Sequence, residues 1–388
     1  MKPMRRVSRR RDENAKSGIQ SEQYDTGAFL DGTRNVRRPS VAGTGMSIRD
    51  EPVSGDRRAL LLLAGVAGLA GMVGPGWAAQ RVSGRGLNLI ETANAPYGSA
   101  AAARSLEAIA SLGANCVAII PFLWQAHEHD PRIVYGDAVP PARLRLAIRQ
   151  AHAAGLRAIV KPHVWVPERW AGSVRMRNAE DWARWFAAYR SIVVQLAELA
   201  QDEGADTLII GTELRQTTGR NEWDEVIGAA RERFSGRVSY VAHGTEEAER
   251  IGFWHRLDAI SMSLYPPLGP DSDRERRRRL IQSTLAAAHS VAQRSARPLC
   301  IAEIGVRSAR GAAMRPWESA EERIAEPDPA LQRAVLGDWL DAIDVAPADG
   351  VLVWRWFTDP GAGGMLDTDF TVQNKPAEHM LRARWLRS

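Results

Sequence analysis

From Gly86 onward, short apolar runs alternate with longer amphipathic stretches. The runs "GLNLIETAN" (86–94), "CVAIIPFLW" (116–124), "RAIVKPHVWV" (157–166), "TLIIGTEL" (207–214), "RVSYVAHG" (237–244), "AISMSLYPP" (259–267), "PLCIAEIG" (298–305) and "GVLVWRWF" (350–357) predict strands. Between them, segments such as "SAAAARSLEAIASLGA", "PARLRLAIRQAHAAGL" and "PALQRAVLGDWLDAIDVA" carry apolar residues three to four apart, the period of a helix with one buried face. Eight strand-then-helix units over roughly 300 residues predict an α/β chain folded as a (β/α)8 TIM barrel, with a doubly wound sheet as the lesser alternative. In such a barrel, chemistry gathers at the C-terminal ends of the strands.

The pattern fails before Gly86. Residues 1–56 are polar, rich in Arg, Ser and Gly, and show no apolar period, so a disordered basic segment is expected. Residues 57–80 then present Arg57 and Arg58, an apolar stretch from Ala59 to about Val73, Pro75 and the small pair Ala78–Ala79. Paired arginines, a short apolar run and small residues before a break predict an export signal, the arginine pair pointing to the twin-arginine type, or a signal anchor holding residues 59–79 in the membrane. The barrel is assigned to residues 81–388, outside the cytoplasmic membrane, in the periplasm or extracellular space.

Charge changes the picture only once it is divided. The formal net charge is +5, which by itself would suggest a nucleic-acid partner. Residues 1–58 carry 13 Lys and Arg against 8 Asp and Glu, so of the 51 and 46 in the whole chain, 38 of each remain for the rest. A neutral barrel has no electrostatic footprint for a phosphate backbone, and no nucleic-acid partner is expected. The basic cluster "RERRRR" (274–279) reads as the solvated face of a helix. Cys116 and Cys300 sit in apolar runs and read as free thiols. No spacing of His, Cys or Asp suggests a metal, and neither a phosphate-cradling loop nor a dinucleotide fingerprint is present, so no cofactor is expected.

The strand ends supply the candidate chemistry: Asn88 and Glu91, Trp124, Lys161 with His163 and Trp165, Thr212 with Glu213, His243, Tyr265, Glu303, and Trp354 with Trp356. Carboxylates, amides and aromatics on one rim suit a sugar, whose hydroxyls need hydrogen bonds and whose ring faces stack on aromatic surface. Counting back by twos, Ile209 and Gly211 share the face of Glu213, and Leu299 and Ile301 share that of Glu303, so both acids are expected to top inward-facing layers. The bland alternative pairs them with Arg215 and Arg307 at the rim. Trp354 and Trp356 are two apart and are expected to point the same way. The helical Trp182, Trp185 and Trp339 are expected to pack between helix and barrel.

With "GTEL" closing the fourth strand, "AEIG" the seventh, "SLYPP" the sixth and "VWRWF" the eighth, the chain resembles the clan A glycoside hydrolases, most of all glycoside hydrolase family 113, over residues 84–388. The resemblance implies a retaining β-mannanase-like enzyme with Glu213 as acid/base and Glu303 as nucleophile. It implies an oligosaccharide or polysaccharide substrate touched by Thr212, Tyr265, Trp354, His163, Lys161, Asn88 and Trp124. One departure is Thr212, where most of the clan has Asn donating to the sugar 2-hydroxyl. Tyr265 is the expected donor to Glu303, and Glu213 is expected to have its pKa raised by apolar surroundings. The alternative from another class is a non-catalytic glycan-binding barrel, or a transglycosylase, in polysaccharide export or remodelling.

Overall fold

The computed structural model describes residues 84–387; the segments assigned to disorder and to an export signal or anchor lie outside the described residues. In chain order the elements are β1 (Gly84–Ile90), α1 (Ala100–Ser111), β2 (Cys116–Ile119), β3 (Phe122–Trp124), α2 (Pro141–Ala153), β4 (Arg157–Val160), β5 (His163–Trp165), α3 (Ala179–Asp202), β6 (Thr207–Thr212), α4 (Trp223–Arg233), β7 (Arg237–His243), α5 (Gly244–Arg250), β8 (Ala259–Ser263), α6 (Arg274–Arg294), β9 (Leu299–Ile304), α7 (Pro329–Val345), β10 (Gly350–Phe357) and α8 (Pro376–Trp385). Helix starts follow local chemistry. Asn178 Oδ1 accepts the Asp181 amide at 2.8 Å to cap α3, and Asp328 Oδ1 accepts that of Leu331 at 2.8 Å, with Pro329 supplying the first-turn geometry of α7.

Eight parallel strands close into a barrel in the order β1-β10-β9-β8-β7-β6-β4-β2. The first and last strands pair, from Gly84 opposite Gly350 to Leu87 opposite Val353, so the TIM barrel is complete. Two predicted strands are each divided. Pro121 and Pro162 stand at the breaks, and proline has no N–H to continue a ladder. Beyond them β3 and β5 pair with each other as a separate two-stranded parallel sheet, which carries Trp124 and Trp165.

The main core lies between barrel and helices. Trp185, Trp223 and Trp339 are all fully buried in it, as expected for tryptophans 185 and 339. Inside the barrel, Ile209, Val241 and Ala302 form a small cluster of their own with Ile159. Two side-chain assignments by twos therefore fail. Ile209 does face inward, but Gly211 faces the helices: a Cβ there would lie 2.8 Å from the Tyr240 ring and 2.9 Å from that of Trp223. On β9, Leu299 and Ile301 join the helix-facing core and Ala302 faces inward. The cause is a register shift on each strand, between Ile209 and Thr212 on β6 and between Ile301 and Glu303 on β9, and a bulge turns the following residue by one face.

The arginine run on α6 is less solvated than its sequence suggests. Arg277 is buried, with Nε 2.9 Å from Asp338 of α7, and Arg274 reaches the same carboxylate at 3.0 Å. Only a paired guanidinium tolerates such burial, so the run ties α6 to α7. Cys116 and Cys300 are free thiols, and burial pushes each pKa up to about 12. Among the described residues no helix is long and apolar enough to cross a membrane, and no group of His, Cys, Asp and Glu could hold a metal.

Candidate active site

Glu303 is the penultimate residue of β9 and is only 4% exposed. A carboxylate removed from water needs donors, and both of its oxygens have one. Lys161 Nζ, from the break after β4, donates to Oε1 in a very short contact, and Tyr265 Oη donates to Oε2 at 2.9 Å. The Tyr265 pKa is raised well above 10, first by burial and then by the charges of Glu303 and Glu213, so the phenol keeps its proton and stays a donor. The expectation for Tyr265 as the donor to Glu303 agrees with this geometry.

Lys161 is fully buried and would be untenable alone. Its second partner is Asn88 Oδ1 at 3.0 Å. The Asn88 amide donates in turn to the carbonyls of Ala302 on β9, at 3.1 Å, and Val353 on β10, at 3.4 Å. Asn88 was expected to touch substrate. It is instead fully buried with both ends of its amide engaged, and it supports Lys161 from behind. The ammonium also lies 5.1 Å from the centre of the Trp354 ring, and His163 lies 6.4 Å from the same ring.

Glu213 follows β6 directly, with φ of 55°, a left-handed conformation uncommon outside glycine. The bracket around it is specific. Its own amide donates to Val241 O at 2.8 Å, and the next amide, of Leu214, donates to Tyr240 Oη at 2.7 Å. Tyr240 Oη donates to Glu247 Oε1 at 2.7 Å, while Glu247 Oε2 accepts the His243 amide at 2.7 Å. Glu247 is thus a buried brace between β7 and the residues that follow β6, and burial pushes its pKa up to about 7.

The Glu213 carboxylate lies 3.1 Å, through Oε1, from His243 Nδ1. Burial works to raise the Glu213 pKa, as expected from sequence, but the proton and charge of His243, then His163 and the Ser263 hydroxyl, outweigh it and lower the value to about 2. The expectation of a raised pKa for Glu213 is therefore corrected, and the reason is a cation that sequence spacing does not reveal. For His243 the effects mirror these: burial opposes its charge, yet Glu213 and Glu247 raise its pKa above the ordinary value. His163 is lowered, chiefly by burial. The two carboxylates thus share a neighbourhood, since His163 and Tyr265 both feel the charge of each.

The remaining predicted residues separate. Thr212 is buried and its hydroxyl donates to Pro162 O at 2.9 Å, so its single proton is committed to backbone. Trp354 is half-buried toward the site, whereas Trp356 is buried among the helix-facing residues. They do not point the same way, because the β1–β10 register shifts between Val353 and Trp356. The peptide between Trp354 and Arg355 is cis. Trp124 is half-buried on β3, where its backbone exchanges two 2.8 Å hydrogen bonds with Val134. Glu91 accepts the Tyr97 amide at 2.6 Å and pairs with Arg143 at 3.0 Å, a local structural role. Arg215 pairs with Glu246, and Arg307 donates to the carbonyls of Ser319, Arg323 and Thr368, so neither arginine serves the two glutamates.

Sequence reasoning missed Glu247, which lies on a helix rather than at a strand end, and Trp170, in the segment after β5. Trp170 is 40% exposed, and its ring centre is 4.5 Å from that of His243.

Two buried carboxylates with separate partners, set among half-exposed aromatics at the C-terminal rim of a parallel barrel, define a barrel enzyme of the glycosidase kind. The profile of glycoside hydrolase family 113 matches residues 90–375, and the chain belongs to that family of glycoside hydrolases. Its fold is similar to that of the family 113 β-mannanase of Alicyclobacillus acidocaldarius, solved in complex with ManMIm, at 23% identity and a TM-score of 0.69, covering 80% of this chain and 99% of that one. A family 113 β-1,4-mannanase is as similar, at 21% identity and a TM-score of 0.69, over 78% of this chain and 98% of that one. A β-glucuronidase from Ruminococcus gnavus is more distant, at 15% identity and a TM-score of 0.54, over 78% of this chain and 50% of that one. No curated protein matches the sequence.

Proposed function

We propose that this enzyme hydrolyses a β-linked, mannan-like glycan with retention of configuration, Glu303 acting as nucleophile and Glu213 as acid/base. The observation that carries the reading is the unequal company of the two carboxylates. Glu303 is held by a buried ammonium and a phenol, donors that engage both of its oxygens and fix its position. Glu213 is paired with an imidazole, a base that gains and loses a proton near neutral pH.

In the first step a Glu303 oxygen bonds to the anomeric carbon, the glycosidic bond breaks, and the departing oxygen takes a proton from Glu213. The lowered pKa of Glu213 and the raised pKa of His243 favour that proton on the imidazole in the resting pair. It passes to the carboxylate, which lies within ion-pair distance at 3.1 Å, as the leaving oxygen gains charge, leaving neutral imidazole. In the second step water attacks the anomeric carbon and gives its proton to the Glu213–His243 pair, and the bond to Glu303 breaks.

The resting barrel is expected outside the cytoplasmic membrane. Arg57, Arg58 and the apolar run that follows support this, and fractionation of cells expressing the full chain tests it.

Role assignment is tested with activated aryl β-mannosides. Glu303→Ala should lose roughly 10⁴-fold or more on every substrate. Glu213→Ala should form the intermediate from a good leaving group, stall in its breakdown, and be rescued by azide to give a β-glycosyl azide. An α-azide from the Glu213 variant would exchange the two roles.

A further inference from the structure

We propose that Trp170 is the platform on which the leaving-group sugar stacks, resting on the reading of Glu213 as acid/base. The group that protonates the departing oxygen must lie beside the sugar that departs, so the surface next to Glu213 is the leaving-group side of the site. Trp170 occupies that surface. It comes from the segment after β5 and lays its ring 4.5 Å from that of His243 at the end of β7, the imidazole whose Nδ1 lies 3.1 Å from Glu213 Oε1. Its ring is therefore one side chain removed from the Glu213 carboxylate, and it is exposed to solvent.

The ring is exposed yet held. A Cβ on Gly172 would lie 2.1 Å from Trp170 Cη2, so the indole packs directly on a bare α-carbon that only glycine provides. The Trp170 carbonyl is fixed by Ser173, whose amide donates at 3.0 Å and whose hydroxyl donates at 2.8 Å. Large apolar surface left in water is costly, and an aromatic kept immobile there has already lost the rotamer freedom that binding would otherwise remove. A pyranose presents an apolar face of axial and equatorial C–H groups that such a ring can cover. The indole itself is uncharged, so it fits a neutral hexose and grips the acceptor sugar in any transfer to another chain as well as the leaving sugar in hydrolysis.

The test compares Trp170→Ala, Trp170→Phe and Gly172→Ala with the wild-type enzyme on two substrates. One is a β-1,4-mannooligosaccharide, whose leaving group is a sugar, and the other an aryl β-mannoside, whose leaving group is not. Trp170→Ala should lose about tenfold or more in kcat/KM on the oligosaccharide relative to the aryl glycoside, Trp170→Phe should recover part of that ratio, and Gly172→Ala should copy the alanine variant by displacing the ring. The pH profile should keep its shape. Equal losses on both substrates, or a displaced pH limb, would mean that Trp170 only shields His243 and would overturn the proposal. A wild-type enzyme that cleaves neither substrate would instead overturn the glycosidase reading, and this inference with it.

Discussion

The two carboxylates at the rim sit at the ends of similar apolar strands, yet their surroundings differ in kind. Glu303 lies within its strand and meets the Lys161 side chain and a phenol. Glu213 lies just past its strand in a left-handed turn and meets His243, whose charge depends on pH. On the proposed assignment, the group that attacks carbon is held by a buried amine and a phenol. On the same proposal, the group that gives and takes a proton stands beside an imidazole, whose charge changes with pH. The barrel thus assigns roles through the neighbours of an identical side chain, and those neighbours are where the comparison can be broken.

The largest effect is expected at Lys161. Lys161→Met keeps the volume and removes the charge, leaving Glu303 buried with Tyr265 alone. Breaking a buried pair typically costs about 3–5 kcal/mol, so chemical denaturation should show a loss on that scale, and activity should fall on good and poor leaving groups alike. A fall confined to poor leaving groups would place Lys161 with the acid rather than the nucleophile.

A smaller, more selective effect is expected at His243. In His243→Gln, Glu213 loses its cation while burial still raises its pKa, so its carboxyl should titrate well above the wild-type value of about 2 when followed by carbon NMR. The alkaline limb of kcat/KM should move to lower pH. In the wild type the pair keeps its proton up to the raised pKa of His243, whereas a lone carboxyl releases it sooner. A limb that stays in place would separate His243 from the proton transfer.

The smallest effect is expected at Glu247 and concerns stability. Its pKa of about 7 lies above the unfolded value, so the folded state holds the extra proton between the two. The stability it contributes is full below about pH 4.5 and is lost as pH rises through about 7, on the order of 3 kcal/mol at most. Glu247→Gln should flatten that part of the stability profile, and an unchanged slope would place the titration elsewhere.

Much of this was legible in the chain. Eight apolar runs, the two glutamates after "GT" and "IA", and a tyrosine closing the sixth run were enough to place the barrel, both acids and the Tyr265–Glu303 contact. The alternation of faces was not. A bulge adds one residue without changing composition, so Gly211, Ile301 and Trp356 each turned to the side opposite to the one their spacing suggested. Pro121 and Pro162 were visible signals of the split into β3 and β5, since neither can donate to a ladder. The pairing of His243 with Glu213 links neighbouring strands 30 positions apart, and no local pattern encodes which rim residues meet. Trp170 was legible only as a tryptophan two residues before a glycine.

Asn88 joins β1 to the carbonyls of β9 and β10 while holding the lysine that serves Glu303. The two ends of the barrel meet at that amide, so the support of Glu303 exists only after the last strand has been made and has found the first. During synthesis, before that strand is made, the chain carries both glutamates but no working centre. Turnover by this enzyme therefore certifies that its barrel has closed.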